Sequence, residues 1–221
     1  MNILSIAINL FVLLFAITIH EASHGWAANK MGDPTAAALG RVTLNPIAHI
    51  DLLGTVILPL ILVLARAPAF GWAKPVPVNP YNLKHPRRDS LWISFAGPAA
   101  NLTAGVVSLG LILIIKALDP HALEIFAAGA TARSFQPVQG LVLILFYAVL
   151  VNTYLAVFNL IPVPPLDGSG VLAGLLSDEA AAKYDRLRPY GFVIVLVLVY
   201  VGVLNVIIQP IQRLILTVIF S

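Results

Sequence analysis

Long apolar runs separated by short polar segments dominate this chain. A helix needs roughly 20 apolar residues to cross about 30 Å of hydrocarbon, and four runs reach that length. They lie at about residues 3–28, 91–117, 139–161 and 190–209. The pattern predicts an all-α polytopic membrane protein in which each of these runs forms a transmembrane helix.

Two further apolar stretches are too short for a straight crossing. Residues 51–65 contain Gly54 and Pro59, which weaken a helix interior, so we interpret this stretch as a re-entrant segment or a short tilted helix. Residues 211–220 follow Pro210 and are predicted to pack as a half-span. The bundle is therefore predicted to contain about four to six transmembrane helices.

The chain between the first and second long runs has a different pattern. Residues 40–46 and 74–80 are rich in proline and β-branched side chains, which favour extended backbone over helix. Alternating prolines suit an edge strand, because each proline lacks the N–H that a central ladder needs. We predict a short extended, β-like re-entrant region here, and a pair of surface loops is the alternative interpretation.

Composition also favours a membrane protein. Hydrophobic residues make up 59% of the chain and charged residues 10%, whereas soluble domains carry about 25% charged residues. The 221 residues suit a single transmembrane domain, residues 1–221. The net charge of +3 is small, so nucleic acid is not an expected partner. Because cysteine is absent, any metal site must use His, Asp or Glu.

The basic residues predict the orientation in the membrane. Lys and Arg concentrate in short cytoplasmic loops, and here they cluster in residues 66–90 and 177–189. Residues 29–50 add Lys30 and Arg41. If 29–50 and 66–90 lie on the same side, the apolar stretch between them re-enters the membrane and does not cross it.

His20, Glu21 and His24 form an H-E-x-x-H sequence inside the first apolar run. Residues four apart lie on one face of a helix, so the two imidazoles can bind a single metal ion. A zinc site of this kind needs a third protein ligand and an open position for water, whose proton Glu21 would accept. Ionisable residues within a membrane are costly and are functional by default. The alternative is that the three side chains only satisfy one another.

Asp167 is the candidate third ligand. It follows the third long run, after a proline-rich stretch that ends the helix. By the charge argument it lies on the same side of the membrane as His24. Gly168 is expected to let the turn after Asp167 bend freely. The alternative is that Asp167 caps a helix over residues 168–176.

These features resemble the site-2 proteases, intramembrane zinc metalloproteases that cut membrane-spanning segments of other proteins. The resemblance rests on the H-E-x-x-H sequence, on Leu-Asp-Gly at 166–168 after an Asn-containing, proline-rich run, and on Gly-Pro-Ala-Ala-Asn at 97–101. It covers most of residues 10–175. Residues 70–80 are similar to those of the compact bacterial and archaeal members, and no PDZ or CBS module is recognised in the chain.

The resemblance implies the site residues and the location. It implies one Zn²⁺ per chain, with Glu21 as the catalytic base and Asn159 holding the substrate or the oxyanion. It further implies the plasma membrane of a bacterium or archaeon, and the distribution of Lys and Arg places the active site toward the cytoplasmic side. The implied metal ligands are His20, His24 and Asp167.

The predicted function is an endopeptidase that hydrolyses peptide bonds in or near transmembrane segments of membrane proteins, with the lipid bilayer as its surroundings. An unwound substrate would add to an extended edge at 40–46 or 74–80, and Asn159, or with less support Asn101, would donate to the oxyanion. A divalent-cation (zinc) transporter and an inactive metal-binding membrane scaffold are the alternatives. Transport is disfavoured because the candidate ligands gather near one membrane face, and the scaffold because Glu21 is present.

Overall fold

The computed structural model describes residues 3–64, 71–126 and 137–221. Within these residues the chain is mainly helical and forms no strand. Short 3₁₀ turns lie at Pro46–His49, Pro80–Asn82, Pro120–Phe126 and Arg188–Tyr190, and a π-helical turn lies at Leu52–Ile57. The α-helices are α1 (Ile3–Lys30), α2 (Thr35–Ala38), α3 (Leu58–Leu64), α4 (Pro86–Leu118), α5 (Pro137–Asn159), α6 (Asp167–Leu175), α7 (Asp178–Asp185), α8 (Gly191–Tyr200) and α9 (Val203–Phe220).

Helix α4 is central to the bundle. It packs against α1, α5 and α6, and α1 also packs against α5. Among the described residues, four helices are long and apolar enough to cross a membrane. They are residues Ile6–Lys30 of α1 and the whole of α4, α5 and α9. The prediction of a helical protein with several candidate membrane spans is confirmed.

The fourth long apolar run is divided into two helices. The run at 190–209 was expected to be one span, but α8 ends at Tyr200 and α9 begins at Val203. Gly202, between them, has φ of 81°, in the left-handed region that glycine adopts without a steric penalty. The candidate span is α9, which continues through Pro210 and includes the predicted half-span at 211–220.

The two proline-rich segments form no strand among their described residues. Gly40 has φ of 66°, the chain turns after it, and residues 71–79 have no regular secondary structure. Two alternate residues of the second segment do pair with backbone that comes before it in the chain. Trp72 N–H donates to Gly54 O, and Lys74 N–H donates to His49 O. The pairing stops there, because the prolines that follow provide no N–H for a ladder.

The short apolar stretch predicted at 51–65 is helical over Leu52–Leu64. The π-helical turn at Leu52–Ile57 continues directly into α3, which ends at Leu64. Thirteen helical residues extend about 20 Å, less than the roughly 30 Å of hydrocarbon in a bilayer. Residues 65–70, including Arg66, lie outside the described ranges, and the re-entrant placement of this stretch stays a prediction.

Asp33 ties the chain that follows α1 to the chain that precedes α4. Its side chain is fully buried and accepts hydrogen bonds from Thr35, from the Asn79 backbone and from the Asn82 amide. Burial by itself raises the pKa of a carboxyl group, but these donors stabilise the charged form more strongly and lower the pKa of Asp33 to about 2.

Candidate metal centre

Three predicted ligands meet where α1, α4 and α6 converge. His20 and His24 lie one turn apart on α1, and Asp167 is the first residue of α6. Asp167 Oδ2 lies 2.9 Å from His20 Nε2 and 3.3 Å from His24 Nε2. One potential ligand atom from each residue lies within 4.8 Å of the others. The fold thus brings together residues separated by more than a hundred positions in sequence.

The second nitrogen of each imidazole is occupied by an acceptor. His20 Nδ1 lies 2.6 Å from Asn101 Oδ1, and His24 Nδ1 lies 2.6 Å from Ile93 O. Amide and peptide oxygens only accept hydrogen bonds, so each histidine donates through Nδ1–H. In the neutral ring this leaves the Nε2 lone pair directed at the site, as in histidines that bind a metal.

The donor atoms fit a divalent cation better than they fit one another. Asp167 Oδ2 is buried and has no hydrogen-bond partner, although both Nε2 atoms lie close to it. Two imidazole lone pairs and a carboxylate oxygen repel each other unless a cation lies between them. Two histidines and one carboxylate are a ligand set of catalytic zinc sites, so the residues present fit zinc.

Gly97 makes room for the two imidazoles. A Cβ at this position would lie 2.4 Å from His24 Nε2 and 2.8 Å from His20 Cε1. Helix α4 can therefore pass directly over the histidines only if it carries glycine here. This close approach is the physical reason for glycine in the sequence Gly-Pro-Ala-Ala-Asn.

Asn101 holds His20 from the next turn of α4. It is fully buried, and its amide nitrogen donates to Ala16 O at 3.0 Å and to Asn152 Oδ1 at 2.7 Å. Both amide hydrogens are therefore used, so oxyanion donation, the less favoured expectation for Asn101, has no free hydrogen.

Asn152 was not among the predicted site residues. Its side chain is buried within α5, donates to Ala148 O and accepts from Asn101. The sequence did contain a signal, because a polar side chain in the middle of an apolar span needs a partner. Asn152 extends the support of His20 to a third helix.

The Glu21 carboxylate is held by backbone from another segment. Glu21 Oε2 accepts a hydrogen bond from the Val76 N–H at 3.0 Å. Val76 lies in the proline-rich segment before α4, 55 positions away. Nothing in the local sequence pattern predicted this contact.

Asp167 does not cap α6 through its side chain. Leu166 occupies the N-cap position, with no side-chain capping bond, and Asp167 is in the first helical turn. The expectation for Gly168 also needs correction, because it is a buried helical residue and its role is not to free a turn. A Cβ on Gly168 would lie 2.3 Å from Leu160 O, so glycine permits close packing of α6 against the end of α5.

Asn159 is the last residue of α5 and is half-buried. Its amide nitrogen donates to Leu155 O at 2.9 Å, within its own helix. Among the described residues it makes no hydrogen bond to the three ligands. One amide hydrogen remains for another acceptor.

A cavity of about 330 Å³ reaches the site beside Asp167. It is partly open to the outside, so water can approach the carboxylate through it. Its walls come from α4, the proline-rich turn, α6 and the turn before α8, and the lining residues are Ser94, Pro164, Pro165, Leu166, Asp167, Ser169, Gly170 and Arg188.

Comparison with known proteins identifies relatives. The sequence model of the family described as Peptidase family M50 matches residues 8–202. "Putative zinc metalloprotease YwhC" of Bacillus subtilis (strain 168) is 37% identical over 188 residues, which cover 84% of this chain and 77% of the relative. "Putative zinc metalloprotease Rip2" of Mycolicibacterium smegmatis is 31% identical over 195 residues, covering 87% of this chain and 66% of the relative. No solved structure matched the chain.

Proposed function

Because the chain belongs to peptidase family M50, the site-2 protease family, we propose that it cuts peptide bonds in or near transmembrane segments of other membrane proteins. The observation that carries the proposal is the convergence of His20, His24 and Asp167 inside a bundle of membrane-spanning helices. We assign the whole chain, residues 1–221, to one metalloprotease domain whose active site faces the cytoplasm.

The residues divide the chemistry among them. His20, His24 and Asp167 would hold one Zn²⁺, which when bound polarises the scissile carbonyl and makes water nucleophilic near neutral pH. Glu21 accepts a proton from the attacking water as its oxygen bonds to the carbonyl carbon. It then delivers that proton to the departing amide nitrogen as the C–N bond breaks.

The negative charge that develops on the carbonyl oxygen needs a donor. We assign this role to Asn159, whose second amide hydrogen is not used within α5. In other hydrolases, removing one donor aimed at this developing charge lowers kcat about 10²- to 10³-fold. Replacing Asn159 with Leu is expected to lower kcat more than it raises KM.

The substrate must present extended backbone, because a helix hides its carbonyls in hydrogen bonds. Of the two candidate edges, residues 74–80 use their backbone donors within the chain at Lys74, Val76 and Asn79. The N–H groups of residues 42–44 have no hydrogen-bond partner among the described residues. We therefore place main-chain pairing with the substrate on residues 42–44, which form a bend and would have to extend to pair with the substrate.

Cleavage in proteoliposomes tests the proposal. The purified protein is reconstituted with a library of tagged single-span proteins, and products are identified by mass spectrometry. Glu21→Gln should keep its zinc and lose at least about 100-fold in rate, because it removes the general base. Glu124→Gln is the matched control, since Glu124 is exposed in the turn after α4.

Two results would contradict the proposal. One is undiminished cleavage by Glu21→Gln. The other is zinc uptake by the same vesicles, equal in both proteins and without cleavage, which would support the transporter.

A further inference from the structure

One short segment of backbone lies against the proposed catalytic base. We call residues 74–79 the strap. Pro75 and Pro77 flank Val76, so Val76 carries the only N–H within residues 75–77. That N–H donates to Glu21 Oε2 at 3.0 Å.

The strap is fixed at its beginning by two hydrogen bonds. The Arg41 guanidinium donates to Lys74 O at 2.6 Å. Lys74 N–H donates to His49 O at 3.0 Å. Arg41 is buried, so this attachment is shielded from competition by water.

The other end of the strap is fixed by Asp33. Asn79 N–H donates to the fully buried Asp33 carboxylate at 2.6 Å. Hydrogen bonds to a charged acceptor are about twice as strong as those between neutral groups. The strap is therefore held at both ends by buried charged side chains, with Val76 between them.

The Val76 side chain also packs on α1. Its Cγ1 would lie 3.2 Å from a Cβ built on Gly25, one turn beyond Glu21. The fixed ends, the two prolines and this contact leave little freedom to the Val76 N–H. A donor of this kind preorganises whatever it binds.

We propose that the strap is a positioning element for Glu21, holding Oε2 so that Oε1 faces the reacting water. The inference rests on the proposed function, because it assumes that Glu21 is the base. The opposite reading is a lid that blocks Glu21 and must open before catalysis. The buried attachments at both ends favour a fixed support over a lid.

Two variants at Val76 separate the N–H from the side chain, and a third variant tests the effect of an added proline. Val76→Pro removes the N–H, whereas Val76→Ala keeps it and removes most of the side chain. Val78→Pro adds a proline to the strap at a residue whose N–H has no partner among the described residues. We expect Val76→Pro to lower kcat about tenfold or more with KM little changed. Val76→Ala and Val78→Pro, which keep the Val76 N–H, should lower kcat less.

A second measurement does not depend on catalysis. Hydrogen exchange of the Val76 amide is followed in the zinc-loaded protein, beside exchange at Lys74 as an internal reference. Glu21→Ala should speed exchange at Val76 about tenfold or more and leave Lys74 unchanged. Glu21→Gln, which keeps an acceptor oxygen, should protect Val76 better than Glu21→Ala does.

Each result bears on a separate claim. Higher kcat in Val76→Pro would indicate a lid and overturn the inference. Unchanged kcat would also overturn it, because the Val76 N–H would then have no effect on catalysis. Unchanged Val76 exchange in Glu21→Ala would show that the hydrogen bond is absent. If Val76→Pro does not fold, an ester linkage at Val76, which replaces only the N–H, gives the same comparison. Full activity of Glu21→Gln would instead refute the proposed function.

Discussion

Gly97 sets how closely α4 can approach the histidines, so it tests the packing of the site at the scale of one residue. Gly97→Ala would place a methyl group 2.4 Å from His24 Nε2, and one imidazole or the helix must move. We expect zinc affinity to fall at least about tenfold and stability to fall by about 1 to 3 kcal/mol. Zinc titration and thermal unfolding measure the two effects.

Gly110→Ala is the matched control for Gly97→Ala. Gly110 lies in the same helix with nothing within 4 Å of an added Cβ, so alanine there should raise helix stability slightly. Wild-type zinc affinity in Gly97→Ala would contradict the packing described for the site.

Asn101 tests the support of the ligands. Asn101→Leu removes the acceptor for His20 Nδ1–H and leaves buried polar groups unpaired on α1 and α5. Loss of such a partner costs about 10- to 100-fold in metal affinity, and competition with a zinc chelator measures it. Asn152→Ala, which acts on His20 only through Asn101, should cost less. Equal losses in the two variants would contradict this order.

At the scale of elements, Asp33 joins the end of α1 to the strap, and its low pKa makes this link sensitive to acid. The ordinary pKa of an Asp carboxyl is about 3.9, and in the folded protein it is about 2. The charged form therefore stabilises the fold fully above pH 4, and this contribution is lost as the pH falls from about 4 to 2. Thermal unfolding in detergent between pH 7 and pH 2.5 measures it.

Asp33→Asn separates this carboxylate from the other acids. The variant should be less stable at pH 7. Its side-chain amide either turns its NH2 group toward the Asn79 N–H, which removes the hydrogen bond, or accepts that bond through an uncharged oxygen, which is weaker. It should also lose less stability than wild type between pH 4 and 2.5. Parallel pH profiles for the two proteins would contradict the role of Asp33.

The break between α8 and α9 depends on one backbone conformation. Gly202 has φ of 81°, which costs an ordinary L-residue about 1 to 2 kcal/mol. Gly202→Ala should therefore lower thermal stability with zinc binding intact. Gly202→Asn should cost less, because Asn tolerates the left-handed region. If alanine raises stability, residues 190–209 form the single span that hydropathy predicts.

The sequence was informative where a signal is local and failed where it is not. Four-residue spacing placed His20 and His24 on one face, and the prolines before Asp167 predicted the end of α5. Hydropathy averaged across Gly202 and missed the break there. The hydrogen bond from Val76 to Glu21 joins residues far apart in sequence and depends on packing, so no periodicity encodes it.

At the scale of the whole molecule, the two ends of the bundle have different roles. The proposed catalytic groups gather where the latter half of α1 meets the first half of α4 and the start of α6. The other end is closed by an apolar cluster formed by Ile112, Val149, Ile215 and Ile219. The buried polar groups Asn101 and Asn152 extend the site toward the middle of the bundle, and the far end is apolar. This arrangement fits hydrolysis approached from one membrane face better than transport across both.

Zinc content of the purified protein, wild type beside Asp167→Ala, tests the central claim most directly, because it requires no knowledge of the substrate. The two proteins are supplied with zinc, freed of excess metal and analysed by atomic spectroscopy. We expect about one zinc per chain in wild type and a marked loss in the variant, because two histidines alone leave the site one ligand short. Wild-type protein that stays free of zinc, or equal zinc in both proteins, would contradict the three-ligand site.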